Sequence, residues 1–289
     1  MVSDAEVGHT GVLPDRPVVG ILHPGAMGSA LGSALKPRAG AVVWAAAGRS
    51  DVTSKRAEIA DLIGVPDVDE LARRSDVVIS ICPPHAALDV ARQVADAVRD
   101  RAHPPLYVDA NAVSPTTVAA IAELFDRGDG AAGVVDGAVI GPAAYEAGRT
   151  VLWLSGAAAP SVARLFEGSP FAARVLDGGL GAASALKACF ALHTKALPTI
   201  WAVMAAAANG YGVLDDLRAE VGRMGGDLDA QLAALADKSG DRAWRWAGEM
   251  DEAADTVAAQ GLPDGFSRAA AEVYRRLADG TLELGRGAP

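Results

Sequence analysis

The residues of this chain best suited to chemistry begin with a turn, His23-Pro24-Gly25-Ala26-Met27-Gly28. It follows an apolar run at 18–22 and precedes small and apolar residues at helical spacing over 26–35. Gly25 and Gly28 hold the last two positions of a G-x-G-x-x-G pattern whose first glycine is replaced by His23. Such a turn brings a pyrophosphate onto bare backbone N–H groups at a helix N-terminus, where the helix dipole favours negative charge. About twenty residues further on, an NAD-selective fold places an acidic residue against the ribose 2′-hydroxyl. Here that place holds Arg49 and Ser50, with Asp51 the nearest carboxylate and a possible helix cap. A guanidinium and a hydroxyl suit a 2′-phosphate, so the spacing points to NADP.

Further along, Cys82-Pro83-Pro84 ends an apolar run, and its prolines offer a rigid wall for a flat ring. Cys82 reads as a packed small residue, because only His85 stands near it as a base. Asn111 lies in Asp109-Ala110-Asn111-Ala112-Val113-Ser114-Pro115, on a strand-to-helix loop where it could meet a nicotinamide or a substrate. Ser114 with Pro115 starts a helix. Lys187 stands in a long apolar helical pattern over 180–209 that Pro198 should kink or end. A lone lysine there is not a usual core residue, and burial would let it donate and accept protons near neutrality. At about 3.6 residues per turn it shares a face with Ala191 and Thr194, with Lys195 beside it. Asp215, Asp216, Asp227 and Asp229 have no histidine partner and read as a solvated face, so no metal is expected.

These residues need a scaffold, and the pattern supplies one. Apolar runs near 18–22, 41–46, 65, 76–81, 106–109, 133–136, 150–155 and 170–176 alternate with helical stretches at 26–35, 51–62, 67–74, 85–99 and 159–167. That alternation predicts an α/β fold with a doubly wound, mostly parallel sheet. Residues 214–236, 241–260 and 266–279 read as three amphipathic helices, with Trp244, Trp246 and Met250 as core or dimer surface. The expected division is 16–178 for the sheet domain and 179–280 for an all-helical domain, with loose ends at 1–15 and 281–289. A net charge of −10 argues against nucleic-acid or anionic-membrane partners. Cys82 and Cys189 supply no disulfide framework, which fits a cytoplasmic setting. The start of the chain has no apolar signal core, and the apolar run 196–208 is too short to cross a bilayer.

Taken in order, HPGAMG, GRS, CPP, DANAVSP and DGAVIGP resemble the strand-end motifs of the β-hydroxyacid dehydrogenase and 6-phosphogluconate dehydrogenase superfamily, which includes the imine reductases. Gly181-Ala182-Ala183-Ser184-Ala185-Leu186-Lys187 is similar to that family's catalytic-lysine helix, and 187–275 to its compact C-terminal domain. The resemblance implies that residues 23–28, Arg49 and Ser50 hold the dinucleotide, that Cys82, Pro83 and Asn111 border the nicotinamide, and that Lys187 is the general acid/base. The family's substrate-loop serine has become Ile140, followed by Gly141, and its asparagine four residues after the lysine is Ala191. A site lined by Ile140, Gly141, Ala191 and Thr194 should therefore favour a substrate larger or less polar than a small hydroxyacid. The expectation is a homodimeric NADPH-dependent oxidoreductase acting on a carbonyl or alcohol. An imine reductase and a non-catalytic NADPH-binding regulator stay open as alternatives.

Overall fold

The computed structural model describes residues 13–126, 133–282 and 284. The loose ends expected at 1–15 and 281–289 lie largely outside those residues. The chain divides into two compact units, Met1–Lys187 and Ala188–Pro289.

In the first unit the order is β1 (Val18–Ile21), α1 (Ala26–Leu35), β2 (Ala41–Ala45), α2 (Asp51–Ile59), β3 (Ile63–Val65), α3 (Val68–Arg74) and β4 (Val77–Ser80). It continues with α4 (Ala87–Ala97), β5 (Leu106–Asp109), α5 (Pro115–Phe125), β6 (Val134–Ile140), β7 (Thr150–Ser155), α6 (Ala159–Leu165) and β8 (Phe171–Val175). Among the described residues these eight strands form one sheet in the order β3-β2-β1-β4-β5-β6-β7-β8. Strands β1 to β6 run parallel, β7 pairs antiparallel with β6, and β8 pairs parallel with β7. Helices cover both faces. One apolar core joins α1, α2 and α6 to the sheet, and the other joins α3, α4 and α5. The central strands are therefore buried on both sides, which is why they read as unbroken Val/Ile runs. Strand order reverses between β1 and β4, and the carboxyl ends at that switch form the crevice where such folds bind ligands.

Three local details correct the sequence reading. Ser50, not Asp51, caps α2, because its extended backbone lets Oγ accept from the Thr53 N–H. The same helix stops at Ile59, short of 62, since Asp61 takes φ 54 and the Leu62 N–H bonds back to Ala57. The helix expected from 85 opens as a 3-10 turn over Pro84–Ala86 before α4 begins.

The helix α7 (Ala182–Ala191) crosses the division between the units, later in the chain than the boundary expected at 178. It is followed by a π-helical turn, Leu192–Ala196, then α8 (Leu197–Gly210), α9 (Leu214–Arg223), α10 (Leu228–Ser239), α11 (Ala243–Ala258) and α12 (Gly265–Ala278). Pro198 stands in the first turn of α8, directly after the π turn that interrupts the long helix. Its ring would meet the carbonyl four residues back, and the wider π turn just before it relieves that clash. The helix expected over 214–236 is two helices, parted by Gly225 at φ 82 and restarted by the Asp227 cap. Leu228, Leu232, Leu235, Met250 and Tyr274 centre this unit's core, with alanines between them. Among the described residues, no helix is long and apolar enough to cross a membrane.

The aspartates that raised the metal question have other partners. Asp227 accepts from the Ala230 N–H at 2.9 Å, while Asp215 and Asp229 both pair with Arg218.

Candidate dinucleotide site

The turn between β1 and α1 is shaped by its two glycines in different ways. A Cβ on Gly28 would lie 2.0 Å from the His23 carbonyl oxygen and 3.2 Å from Ile81, so only glycine lets the helix start this close to the strand. A Cβ on Gly25 would meet nothing within 4 Å. The space over Gly25 is open, and Gly25 is the N-cap of α1 with no side-chain cap and no acidic residue in the first turn. By contrast, α2, α3, α5 and α10 are each capped by a side chain, Ser50, Asp67, Ser114 and Asp227 respectively. Helices α4, α6, α8, α9, α11 and α12 also start without a side-chain cap, so it is the open space over Gly25 at the carboxyl end of β1 that fits a dinucleotide diphosphate.

Arg49 supplies the positive charge. Its Nε reaches the Ala45 carbonyl at 3.4 Å, folding the guanidinium back over the sheet end, where burial makes it less basic. Burial, helped by the Arg49 charge, lowers His23 to about 4. His23 is therefore neutral at ordinary pH, and its Nδ1 is buried without a hydrogen-bond partner. Ser50 is already engaged: its Oγ caps α2 and donates to Thr53 Oγ1 at 3.2 Å.

Below the crevice lies a buried polar network that the sequence reading missed. Asp109 and Asp136 are register partners on β5 and β6, and neither is exposed. Asp136 accepts from Ser155 Oγ at 2.9 Å, the Ser184 N–H at 2.9 Å and Ser184 Oγ at 2.6 Å. Asp109 accepts from the N–H and Nδ2 of Asn111 at 3.0 and 2.8 Å. Burial pushes Asp109 up to about 7; the Asn111 bonds hold it down, Asp136 raises it, and Lys187 lowers it. Lys187 follows Ser184 by one helical turn, near enough for its charge to act on Asp109. A signal was present in the sequence: DAN and DGA place an aspartate at matching strand positions.

Asn111, expected beside the nicotinamide, is a member of this network. It is 1% exposed, with Oδ1 accepting from the Cys82 N–H at 2.5 Å and Nδ2 bonded to Asp109 and to Ser80 Oγ at 3.1 Å. Asn111 turns inward and braces the β4 and β5 ends. Cys82 is pushed up to about 12, chiefly by burial, and is not a nucleophile. Pro83 remains part-exposed at the β4 end, and Ile140 closes β6 before Gly141 at φ 129. The turn, Arg49, Cys82, Pro83 and Lys187 all belong to the sheet unit. Ala191 and Thr194 belong to the helical one, where Ala191 is core and Thr194 Oγ1 donates to the Phe190 carbonyl at 3.1 Å. The π turn also removes the simple periodicity that aligned Thr194 with Lys187.

Fold and turn together define a Rossmann-type protein with a helical second domain. Comparison with family models agrees: residues 3–104 match the Rossmann-like domain and residues 208–277 match a domain of unknown function, DUF1932. The chain is 32% identical over 173 residues to an uncharacterized 28.5 kDa protein of Methanothermus fervidus, a stretch covering 59% of this chain and 62% of that relative. Among solved structures, a conserved protein of unknown function described as similar to 3-hydroxyacid dehydrogenases is 26% identical, with a TM-score of 0.63 over 93% of this chain and 99% of that one. The 3-hydroxyisobutyrate dehydrogenase of Mycobacterium tuberculosis, 19% identical, gives 0.66 over 92% and 95%. An imine reductase of Myxococcus stipitatus solved with NADP+, also 19% identical, gives 0.51 over 92% and 96%. These last two show the fold.

Proposed function

We propose that this chain is an NADPH-dependent oxidoreductase that moves a hydride between the nicotinamide and a carbonyl or alcohol carbon. The observation that carries the reading is the uncapped, open turn at Gly25–Gly28 with the Arg49 guanidinium beside it. The α1 N–H groups would hold the diphosphate, and Arg49 would hold the 2′-phosphate. Bound there, the cofactor supplies the hydride. Lys187 holds the proton at Nζ, and the Asp109–Asp136 pair beneath it orients the amine and balances its charge. Cys82 and Pro83 wall the β4 end against water. Ile140, in place of a serine, supports a substrate larger or less polar than a small hydroxyacid.

Two measurements test this. NADPH should bind more tightly than NADH, and Arg49→Ala should weaken NADPH by about tenfold to a hundredfold while sparing NADH. Turnover of Lys187→Met on matched carbonyl and imine panels should fall by about a hundredfold or more on carbonyls with NADPH affinity retained. Equal turnover of wild type and Lys187→Met on carbonyls removes the lysine from the mechanism, and activity confined to imines selects the imine reductase reading. No hydride transfer to either panel leaves a nucleotide-binding regulator.

The exposed apolar side chains Leu197, Ile200 and Val203 on α8, beside an apolar cavity of about 520 Å³ lined also by Trp201, Met204 and Met224, support a homodimer formed through the helical unit. A monomeric mass by light scattering at micromolar concentration contradicts that assembly.

A further inference from the structure

The loop between β6 and β7, residues 141–149, is anchored by its ends and its middle. Gly141 sits at φ 129, where a Cβ would come within 2.5 Å of the Arg149 carbonyl oxygen. Thr150 Oγ1 donates to the Pro142 carbonyl at 2.6 Å. Ala144 is buried in the α1-side core, with Ala143 and Met27 packed against the same cluster. The next residue, Tyr145, is 63% exposed, yet its hydroxyl lies 3.4 Å from Ser29 Oγ on α1.

That separation is longer than an ordinary O–H···O bond. Ser29 already donates to the Gly25 carbonyl at 2.8 Å, so toward the phenol it can only accept. A fixed loop therefore carries a large, loosely satisfied hydroxyl to the first turn of the helix whose N-terminus has no cap. Exposed tyrosines lose little by being solvated, and nothing in the packing of the ring explains its reach to α1. A polar ligand seated on the turn does explain it.

We propose that Tyr145 is a cofactor-binding residue, a phenol clasp that donates a hydrogen bond to the dinucleotide held on the α1 turn. This inference rests on the dinucleotide reading given above. The β6–β7 loop then serves as a further wall of the dinucleotide site.

The test measures NADPH affinity by nicotinamide fluorescence titration in wild type, Tyr145→Phe and Tyr145→Ala, with 2′-AMP as a second probe that lacks the diphosphate and nicotinamide half. Tyr145→Phe should weaken NADPH by about threefold to tenfold, the range of one neutral hydrogen bond. Tyr145→Ala should weaken it at least as much, and 2′-AMP affinity should not change. NADPH binding within twofold of wild type in both variants overturns the clasp while leaving the dinucleotide reading intact. An equal loss of NADPH and 2′-AMP also overturns it, because the effect is then a general disturbance of the turn. A wild-type protein that binds neither NADPH nor NADH overturns both proposals together.

Discussion

Alanine at Gly25 and alanine at Gly28 should have opposite effects, although the two positions are three residues apart in one turn. At Gly28 the new Cβ would sit 2.0 Å from a backbone oxygen, where real contacts need about 3 Å or more. The turn must open by about 1 Å, a strain of about 1–3 kcal/mol, against which alanine returns about 1 kcal/mol of helix propensity. Gly28→Ala should therefore lose up to about 2 kcal/mol of stability. At Gly25 the backbone, φ −67 and ψ −163, is open to alanine and the Cβ meets nothing. Alanine is a poorer N-cap by about 0.5–1 kcal/mol, and its stiffer unfolded chain offsets a similar amount. Gly25→Ala should fold with wild-type stability, but its methyl occupies the space left for the diphosphate and should weaken NADPH tenfold or more. Urea denaturation and fluorescence titration on the same samples read both quantities. A Gly25→Ala protein that binds NADPH within twofold of wild type refutes the placement of the diphosphate on this turn.

Asp109 gives a pH signature. Its folded value near 7 stands above the unfolded value near 3.8, so between those limits the folded state keeps a proton that the unfolded state releases. Stability should fall as pH rises from about 4 to 7, by up to about 4 kcal/mol at 1.36 kcal/mol per unit, and Asp109→Asn should flatten that limb of a urea-denaturation series. In the helical unit, Lys195 and Glu249 form an ion pair with side chains 16% and 11% exposed, and the ammonium lies 5.4 Å from the Trp246 ring centre. Lys195→Met leaves Glu249 with only Arg245 at 3.7 Å and should cost about 3 kcal/mol, seen as a lower urea midpoint with an unchanged slope.

The sheet was legible because its strands are buried on both faces and so appear as apolar runs, while α1 and α5 announced their starts through a glycine turn and Ser114-Pro115. The helical unit was less legible. Its alanine-rich helices carry weak periodicity, so the Gly225-Gly226 break between α9 and α10 was hidden inside one amphipathic stretch. At the site, the turn and Arg49 were readable from spacing. The inward bonds of Asn111 were not readable, because a polar residue on a loop has the same sequence signature whether it faces a ligand or the protein. The pairing of β5 with β6 brings Asp109, Asp136 and Asn111 into one network, and the matching aspartates of DAN and DGA were its one trace in the sequence. Tyr145 escaped notice because its neighbour Ser29 is more than a hundred residues away.

The first turn of α7 takes its caps from two strands of the sheet, the Ala183 N–H from Ser155 and the Ser184 N–H from Asp136. For chimera construction this sets the cutting point. A helical domain transplanted with its own residues 179–187 would carry two orphaned amides into a foreign host, whereas one joined after Lys187 leaves that segment with its native acceptors. The lysine helix is in this respect a graft of the sheet, and its turnover chemistry should travel with the N-terminal parent in any domain exchange.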